Sequence, residues 1–280
     1  MITDWLERIQ REVTPLSDSA ALDAQVLLAH VLGQRRAWLL AHPEAALTAG
    51  QEARLAAALE CLEAGVPLPY VLGRWEFYGL DFKLTRDTLI PRPETETLVE
   101  LALGWCQAHP GRRRIADIGT GSGCIAVTLA VHIPDLRLLA TDASLAALQV
   151  ARQNACMHGV SGQIAFVCCD LLAGVGGRFD LLCANLPYIP SSEMAGLAVA
   201  RREPPLALDG GQDGLAPIRQ LLDSAPKALA PGGALLLEIG AGQGDAARPL
   251  AQAAFPGADV HIYRDLAGKD RVLQVAQRTL

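Results

Sequence analysis

The chain has 280 residues, 51% of them hydrophobic and 19% charged, and a formal net charge of −6. That length excludes a small-protein fold and suits one large domain or two unequal ones, each able to bury an ordinary core. The acidic balance is not the footprint of a protein that grips a nucleic-acid backbone, so no direct nucleic-acid partner is expected. The longest apolar runs, such as Gly233 to Leu237, fall far short of the about 20 residues a membrane-spanning helix needs. Met1 to Val13 carries Asp4, Glu7, Arg8, Arg11 and Glu12, so it lacks the apolar centre of a secretory signal. A soluble chain with a cytoplasmic address, no membrane partner and a monomeric state is the expectation. The seven cysteines, Cys61, Cys106, Cys124, Cys156, Cys168, Cys169 and Cys183, are odd in number and form no Cys-x-x-Cys; they read as reduced thiols. The six histidines are scattered singly without metal-ligand spacing, so no metal is expected.

From residue 1 to 75 the pattern is helical, and six Arg stand against nine Asp or Glu there. Trp5, Leu6, Ile9 and Val13 recur at helical spacing, as do Leu22, Val26, Ala29 and Leu32, and together they predict a bundle of roughly four short helices. Gly33 is placed to end the second helix, while Thr48 followed by Gln51 fits a capping box that opens a helix closed by Gly65. Residues 76–92 carry aromatic and β-branched positions broken by Gly79, which predicts a β-hairpin linker. Pro93 sits near the start of the next helical pattern, over about Glu94 to Gln107. From 93 to 280 strand-like and helical stretches then alternate: strand 114–118, helix 123–132, strand 136–141, helix 144–158, strands 163–168 and 179–184, helix 215–229, strand 234–239, helix 243–254, and terminal strands near 258–263 and 271–276. The expected fold is therefore α/β, a Rossmann-like, mostly parallel seven-stranded sheet covered on both faces, plus the small helical domain. Arg112 to Arg114, and Arg201 with Arg202, read as solvated edges rather than a binding face.

The sharpest local motif is Asp117-Ile118-Gly119-Thr120-Gly121-Ser122-Gly123, where the first parallel strand ends and a helix begins. Glycines there allow a tight turn and close backbone approach to a ligand. A nicotinamide dinucleotide fingerprint would want glycine where this chain has Cys124. S-adenosylmethionine has no phosphate but carries a sulfonium and an ammonium, so a carboxylate such as Asp117 suits it. Asp142 closes the second strand, 25 positions after Asp117, where a carboxylate can accept hydrogen bonds from both ribose hydroxyls. Asp170 ends the third strand and could reach the adenine amino group, with Leu171 packing on the ring. Each aspartate could instead be a helix cap; their convergence on one rim with the glycine loop favours the cofactor.

After the fourth strand comes Asn185-Leu186-Pro187-Tyr188, on the same rim. Methyl transfer from a sulfonium is an in-line displacement, so the enzyme chiefly needs to aim a nitrogen lone pair. An amide or aromatic amine nitrogen is a poor nucleophile because its lone pair is delocalised. Two acceptors binding both N–H groups would fix it and stabilise the developing positive charge. The Asn185 side-chain carbonyl and the Leu186 backbone carbonyl are the candidates, with Pro187 holding Leu186 extended and Tyr188 packing on the planar acceptor; Asn185 also borders the cofactor. The competing reading is a plain turn after a strand.

With these motifs the sequence resembles the HemK-type release-factor glutamine N5-methyltransferases over nearly its whole length. The segments that carry the resemblance are Leu22 to Gly33, Trp75 to Gly79, Leu89-Ile90-Pro91-Arg92-Pro93-Glu94-Thr95-Glu96, Asp117 to Gly123, Glu203 to Leu208, Asp213-Gly214-Leu215 and Lys269 to Val272. The resemblance implies transfer of a methyl group from S-adenosyl-L-methionine, leaving S-adenosyl-L-homocysteine, to the glutamine of the Gly-Gly-Gln motif of peptide chain release factors. It implies that Gly119 to Gly123 and Asp142 bind cofactor and that Asn185 to Tyr188 hold the glutamine amide. The family usually has Asn-Pro-Pro-Tyr, whereas this chain has Leu186; the backbone carbonyl survives the change, and a modest effect on rate is expected. Gly210-Gly211-Gln212 matches the substrate's own signature and reads as coincidence within a glycine-rich loop. The acidic helical domain is the expected recogniser of a basic partner surface. The rival readings are glutamine methylation of a ribosomal protein, N6-adenine methylation of nucleic acid, and a non-catalytic cofactor-binding module on the translation machinery.

Overall fold

The computed structural model describes residues 1–15, 17 and 19–278, and the chain divides into two compact units, Met1–Arg74 and Trp75–Leu280. The first unit holds helices α1 (Ile2–Val13), α2 (Ala20–Leu32), α3 (Arg36–Ala41), α4 (Ala49–Glu63) and α5 (Leu68–Leu72). α2 is central and touches the other four. Gly33 ends it in the left-handed region (φ 66°), where a residue lacking Cβ is unstrained. Thr48 and Gln51 close the capping box, with Gln51 N donating to Thr48 Oγ1 at 3.3 Å and Thr48 N to Gln51 Oε1 at 2.8 Å. The apolar face of α2 differs from the one expected. Of the expected positions only Ala29 is buried and Leu22 is exposed; the buried residues are Ala20, Ala24, Leu27, Leu28, Ala29 and Val31. This helix is apolar on most of its circumference, so spacing alone does not choose the inward side.

The second unit begins with a hairpin, β1 (Arg74–Phe77) and β2 (Leu80–Lys83). Its two-residue turn has positive φ at both Tyr78 (53°) and Gly79 (72°), which matches the right-handed twist of the strands. The expected hairpin is formed, and it packs on the larger unit. Phe77 and Phe82 meet edge-on, with centroids 6.1 Å apart, and both are buried in the core of the larger unit. Asn154 clamps the hairpin there, accepting from Lys83 N at 2.8 Å and donating to Lys83 O at 3.0 Å.

Next come α6 (Thr95–Ala108), β3 (Arg114–Ile118), α7 (Cys124–His132), β4 (Arg137–Asp142), α8 (Leu145–Met157), β5 (Ile164–Cys168), β6 (Phe179–Asn185), the short α9 (Ser191–Met194), α10 (Ala216–Ala228), β7 (Leu229–Glu238), α11 (Gly244–Ala254), β8 (Asp259–Arg264) and β9 (Asp270–Ala276). The seven strands lie in the order β5-β4-β3-β6-β7-β9-β8, parallel except that β9 runs against both its neighbours. This is the expected class. One face is covered by α6, α7 and α8 and the other by α10 and α11. β6 supplies both layers: Leu181 and Cys183 enter the first, Leu182 and Ala184 the second, which is why a central parallel strand reads as a continuous apolar run. β7 starts earlier than expected, at Leu229, because a register shift lets Ala230 to Gly233 bulge between the pairs Phe179↔Leu229 and Leu181↔Ala234; its Pro-Gly-Gly resembles a loop in sequence. Arg112 and Arg113 at the head of β3 are paired with Asp180 and Asp135.

Candidate active site

The chain leaves β5 at one end of the sheet and re-enters as β6 beside β3, and this reversal of strand order opens a crevice at the carboxyl ends of the strands. A cavity of about 540 Å³ lies there, walled by Gly119 to Ser122 after β3, Asp142 to Ser144 at β4, Asp170 and Leu171 after β5, and Asn185 to Pro187 at the end of β6.

In the first half of the cavity the backbone of the glycine loop is pinned to β4. Gly119 N and Thr120 N both donate to Thr141 O at 2.9 Å. Gly121 N and Ser144 N each donate to one oxygen of Asp142 at 2.8 Å. Burial raises the Asp142 pKa and these two N–H groups oppose the rise. Each of its oxygens keeps a lone pair for a further donor. Gly119 (φ 73°) is held close to the acceptor loop, since a Cβ there would lie 3.2 Å from Leu186 Cδ2. At Gly121 (φ 56°) a Cβ would meet open space on the cavity wall. Asp170 accepts from Gln220 Nε2 of α10 at 2.7 Å. Leu171 holds a left-handed backbone (φ 47°), a strained state for a branched side chain, and its carbonyl accepts from Thr141 Oγ1 at 2.9 Å.

Asp117 and Gly123, expected to bind cofactor, are not brought to the cavity wall. Asp117 is fully buried and turned beneath the loop, accepting from Thr120 Oγ1 at 2.6 Å and from Ala126 N at 3.2 Å, while its Oδ1 has no partner among the described residues. Burial pushes its pKa up to about 7 against those two bonds. It ties the loop to the start of α7. Gly123 caps α7 with φ 81°, and a Cβ there would sit 3.1 Å from Ala151 Cβ of α8. Its smallness serves packing between helices.

In the other half, Asn185 ends β6 and Glu238 ends β7 as its register partner. Asn185 Nδ2 donates to Oγ1 of Thr95, the first residue of α6, at 3.0 Å. Thr95 and Glu238 are almost wholly buried. Burial pushes the Glu238 pKa up to about 7, opposed by the neighbouring Thr95 hydroxyl and the charge of Arg271; its Oε2 has no hydrogen-bond partner among the described residues. Leu186 is 3% exposed and packs in the core layer beneath the glycine loop, so a leucine is accommodated where the family usually has proline. Its carbonyl accepts no hydrogen bond from the described residues. Tyr188, expected to pack on the acceptor, does not line the cavity. Its carbonyl is held by Gln243 Nε2 at 3.1 Å, and its ring turns to Gly240, where a Cβ would lie 3.2 Å from Tyr188 Cδ2. Burial and the nearby Glu238 carboxyl push its phenol up to about 12.

The wall is completed by Pro204 to Ala207, with Leu206 65% exposed at the rim. That segment is fixed by buried Glu203, which pairs with Arg92 and accepts from Ile90 N at 3.0 Å. Gly210 and Gly214 pack against the Tyr188 backbone, where a Cβ at Gly210 would lie 2.8 Å from Tyr188 Cα. Gly210 and Gly211 of this chain's Gly-Gly-Gln are thus close-packed, while Gln212 is exposed. Reading the residues alone singled out neither Thr95, Gln220, Asn154 nor Glu238. For Glu238 a signal existed: a carboxylate closing the apolar run Ala234 to Leu237 is as anomalous as Asp142 or Asp170.

These residues fit S-adenosylmethionine: Asp142 has acceptor capacity for ribose hydroxyls, Leu171 an apolar face for adenine, and Gly121 the open backbone a bound ligand requires. Residues 4–73 match the PrmC N-terminal domain model and residues 101–202 the methyltransferase small domain model. The chain is 42% identical to a release factor glutamine methyltransferase of Moorella thermoacetica, over 97% of this chain and 96% of that one. It is 46% identical to the protein of that name from Cereibacter sphaeroides, over 91% of each. Among solved structures, a methyltransferase from Pyrococcus furiosus aligns with a TM-score of 0.52 at 16% identity, covering 82% of this chain and 99% of that one. The T. thermophilus 16S rRNA N2 G1207 methyltransferase in complex with AdoMet and guanosine aligns at 0.51 and 16%, covering 73% and 50%; both likenesses show the fold. No helix among the described residues is long and apolar enough to cross a membrane. Extended over nearly the full length of both partners, the identities establish that the chain belongs to the release factor glutamine methyltransferase family.

Proposed function

We propose that this protein transfers a methyl group from S-adenosylmethionine to the side-chain amide nitrogen of the glutamine in the Gly-Gly-Gln motif of peptide chain release factors. The observation that carries the reading is a single cavity lined both by the Asp142-braced glycine loop and by Asn185 to Pro187. The cofactor supplies an activated methyl: its carbon–sulfur electron pair stays on sulfur as the amide lone pair forms the carbon–nitrogen bond, and the surplus N–H proton passes to solvent. Asp142 and the Gly121 backbone hold the nucleoside end, and Leu171 and Asp170 border the base. Asn185 Oδ1 and the Leu186 carbonyl, both without donors among the described residues, accept the two amide N–H bonds. Binding both turns the lone pair toward the methyl and stabilises positive charge building on nitrogen, an interaction strongest in the transition state. Pro204 to Ala207 wall the same cavity.

The helical unit serves to recognise the release factor through its acidic surface, to which α4 contributes exposed Glu52, Glu60 and Glu63. A release-factor substrate supports a cytoplasmic location without direct nucleic-acid contact, and the protein is read as acting as a monomer. The test is incubation with methyl-labelled S-adenosylmethionine and, in parallel, a release factor, a ribosomal protein and duplex DNA, with the label mapped by mass spectrometry. Label on the Gly-Gly-Gln glutamine is expected. Label confined to the ribosomal protein or DNA overturns the substrate, and no label despite cofactor binding overturns catalysis.

A further inference from the structure

We infer that Thr95, backed by Glu238, is a positioning residue that dictates which end of the Asn185 carboxamide faces the acceptor amide. The inference rests on the proposed transfer to glutamine. A carboxamide is nearly symmetrical in shape but opposite in chemistry at its two ends, one an acceptor and the other a double donor. Flipped, Asn185 would present N–H to the substrate's own N–H and repel it. Something must therefore fix the flip.

The Nδ2 end is anchored by its 3.0 Å bond to Thr95 Oγ1. A threonine hydroxyl could equally donate to Oδ1 of the flipped amide, so this bond alone does not choose. The choice is made by Glu238. It ends the neighbouring strand in register with Asn185, and Thr95 and Asn185 are polar side chains that offset its burial. Glu238 Oε2 is buried without a hydrogen-bond partner among the described residues, and an ionised carboxylate only accepts. It favours the orientation that turns the Thr95 hydroxyl hydrogen and the Nδ2 end of Asn185 toward it, leaving a Thr95 lone pair for Nδ2 and Oδ1 free on the cavity wall. The charged and titratable groups facing Glu238 are Arg271 from β9, Glu94 ahead of α6, Tyr188 from the loop after β6 and Cys124 at the start of α7. The Glu238 carboxyl is pushed up to about 7, so the orienting ionised form is gained as pH rises through that value. Its charge also favours the positive charge developing on the acceptor nitrogen.

The test uses the full chain and a release factor, with kcat and KM measured for Thr95→Val, Thr95→Ser and Glu238→Gln beside the wild type, and cofactor affinity and melting temperature followed in each. Thr95→Val is expected to lower kcat by about 100-fold, the scale of losing one aimed polar group, with cofactor affinity changed less than about twofold. Thr95→Ser, which restores the hydroxyl, should return to within about threefold of wild type. Glu238→Gln keeps the shape and tests the same chain of bonds should valine disturb the fold; a drop in kcat of about tenfold is expected. It should also flatten part of the rise of rate with pH near neutrality. Asp117 is pushed to about 7 as well, so the difference between wild type and Glu238→Gln decides, not the wild-type profile. Full kcat in Thr95→Val and Glu238→Gln, or a serine variant as slow as the valine one, overturns the inference while leaving the proposed function intact. A wild-type protein that labels no glutamine overturns both.

Discussion

The two halves of the cavity are built on different plans. The cofactor half comes from consecutive strand–helix units, each ending in a residue that faces the same crevice: Gly119 and Gly121 after β3, Asp142 at β4, Asp170 and Leu171 after β5. The acceptor half is assembled from parts far apart in the chain, namely Arg92 and Thr95, Asn185 to Pro187, Pro204 to Ala207, and Glu238 behind Asn185. A site made of sequential units tolerates variation outside its few strand ends. A site made of distant segments depends on buried polar contacts, here Glu203 to Arg92 and Ile90 N, and Asn185 to Thr95, which cost most when one partner is lost.

Asn185→Ala should separate the halves most sharply. Turnover is expected to fall by about 100- to 1,000-fold while cofactor affinity, measured calorimetrically, stays within a few-fold; near-normal turnover would remove the amide-orienting role. Asp142→Ala should do the reverse, weakening cofactor binding by about 10- to 100-fold, because it removes a braced carboxylate and leaves Gly121 N and Ser144 N to solvent. Unchanged affinity would take the ribose role from Asp142. Leu186→Ala touches both halves, since the side chain packs under Gly119. A stability loss of about 2–3 kcal/mol in denaturant unfolding is expected, and a loss below about 0.5 kcal/mol would show that leucine fills no space the fold needs.

The pH dependence of stability probes the buried carboxyls of each half. Asp117 and Glu238 are both raised from ordinary carboxyl values to about 7 by burial. For a group raised in the folded state, the native protein holds the proton more tightly, so stability is fullest below the unfolded value and falls as pH rises toward the folded one. The protein without cofactor should therefore lose melting temperature between about pH 4 and pH 7, less steeply in Asp117→Asn or Glu238→Gln. A melting temperature that climbs across that window in the wild type would contradict it. The smallest effect is expected outside the cavity: Glu52, Glu60 and Glu63 changed together to Gln should raise KM for the release factor by about two- to fivefold, more at low salt, with kcat and cofactor affinity unchanged. No change in KM would take the recognition role from this surface.

The same contrast explains what the sequence disclosed. Strand ends in a doubly wound sheet are legible because periodicity locates the strand and one rule places its carboxyl end, so the residues alone put Asp142, Asp170 and Asn185 on the rim where the cavity wall lies. Asp117 was misplaced because the motif gives its position in the chain but not the direction of its carboxylate, which Thr120 and Ala126 N capture from beneath. Tyr188 was misplaced because the turn after Pro187 depends on Gly214, Gly240 and Gln243, all distant in sequence. The buried face of α2 was misread because an almost wholly apolar helix carries little directional signal. Thr95 and Glu238 meet Asn185 only through strand register and the start of α6, and no local pattern encodes that meeting.

The central claim is that one cavity holds a glutamine amide against Asn185 and Leu186 while the cofactor rests on the glycine loop. Its most direct test is a crystal structure of the full chain with S-adenosylhomocysteine and a peptide containing Gly-Gly-Gln. The account predicts the glutamine nitrogen within hydrogen-bonding distance of both Asn185 Oδ1 and the Leu186 carbonyl, facing the sulfur. A glutamine bound elsewhere, or Asn185 turned so that Nδ2 faces the peptide, would contradict it.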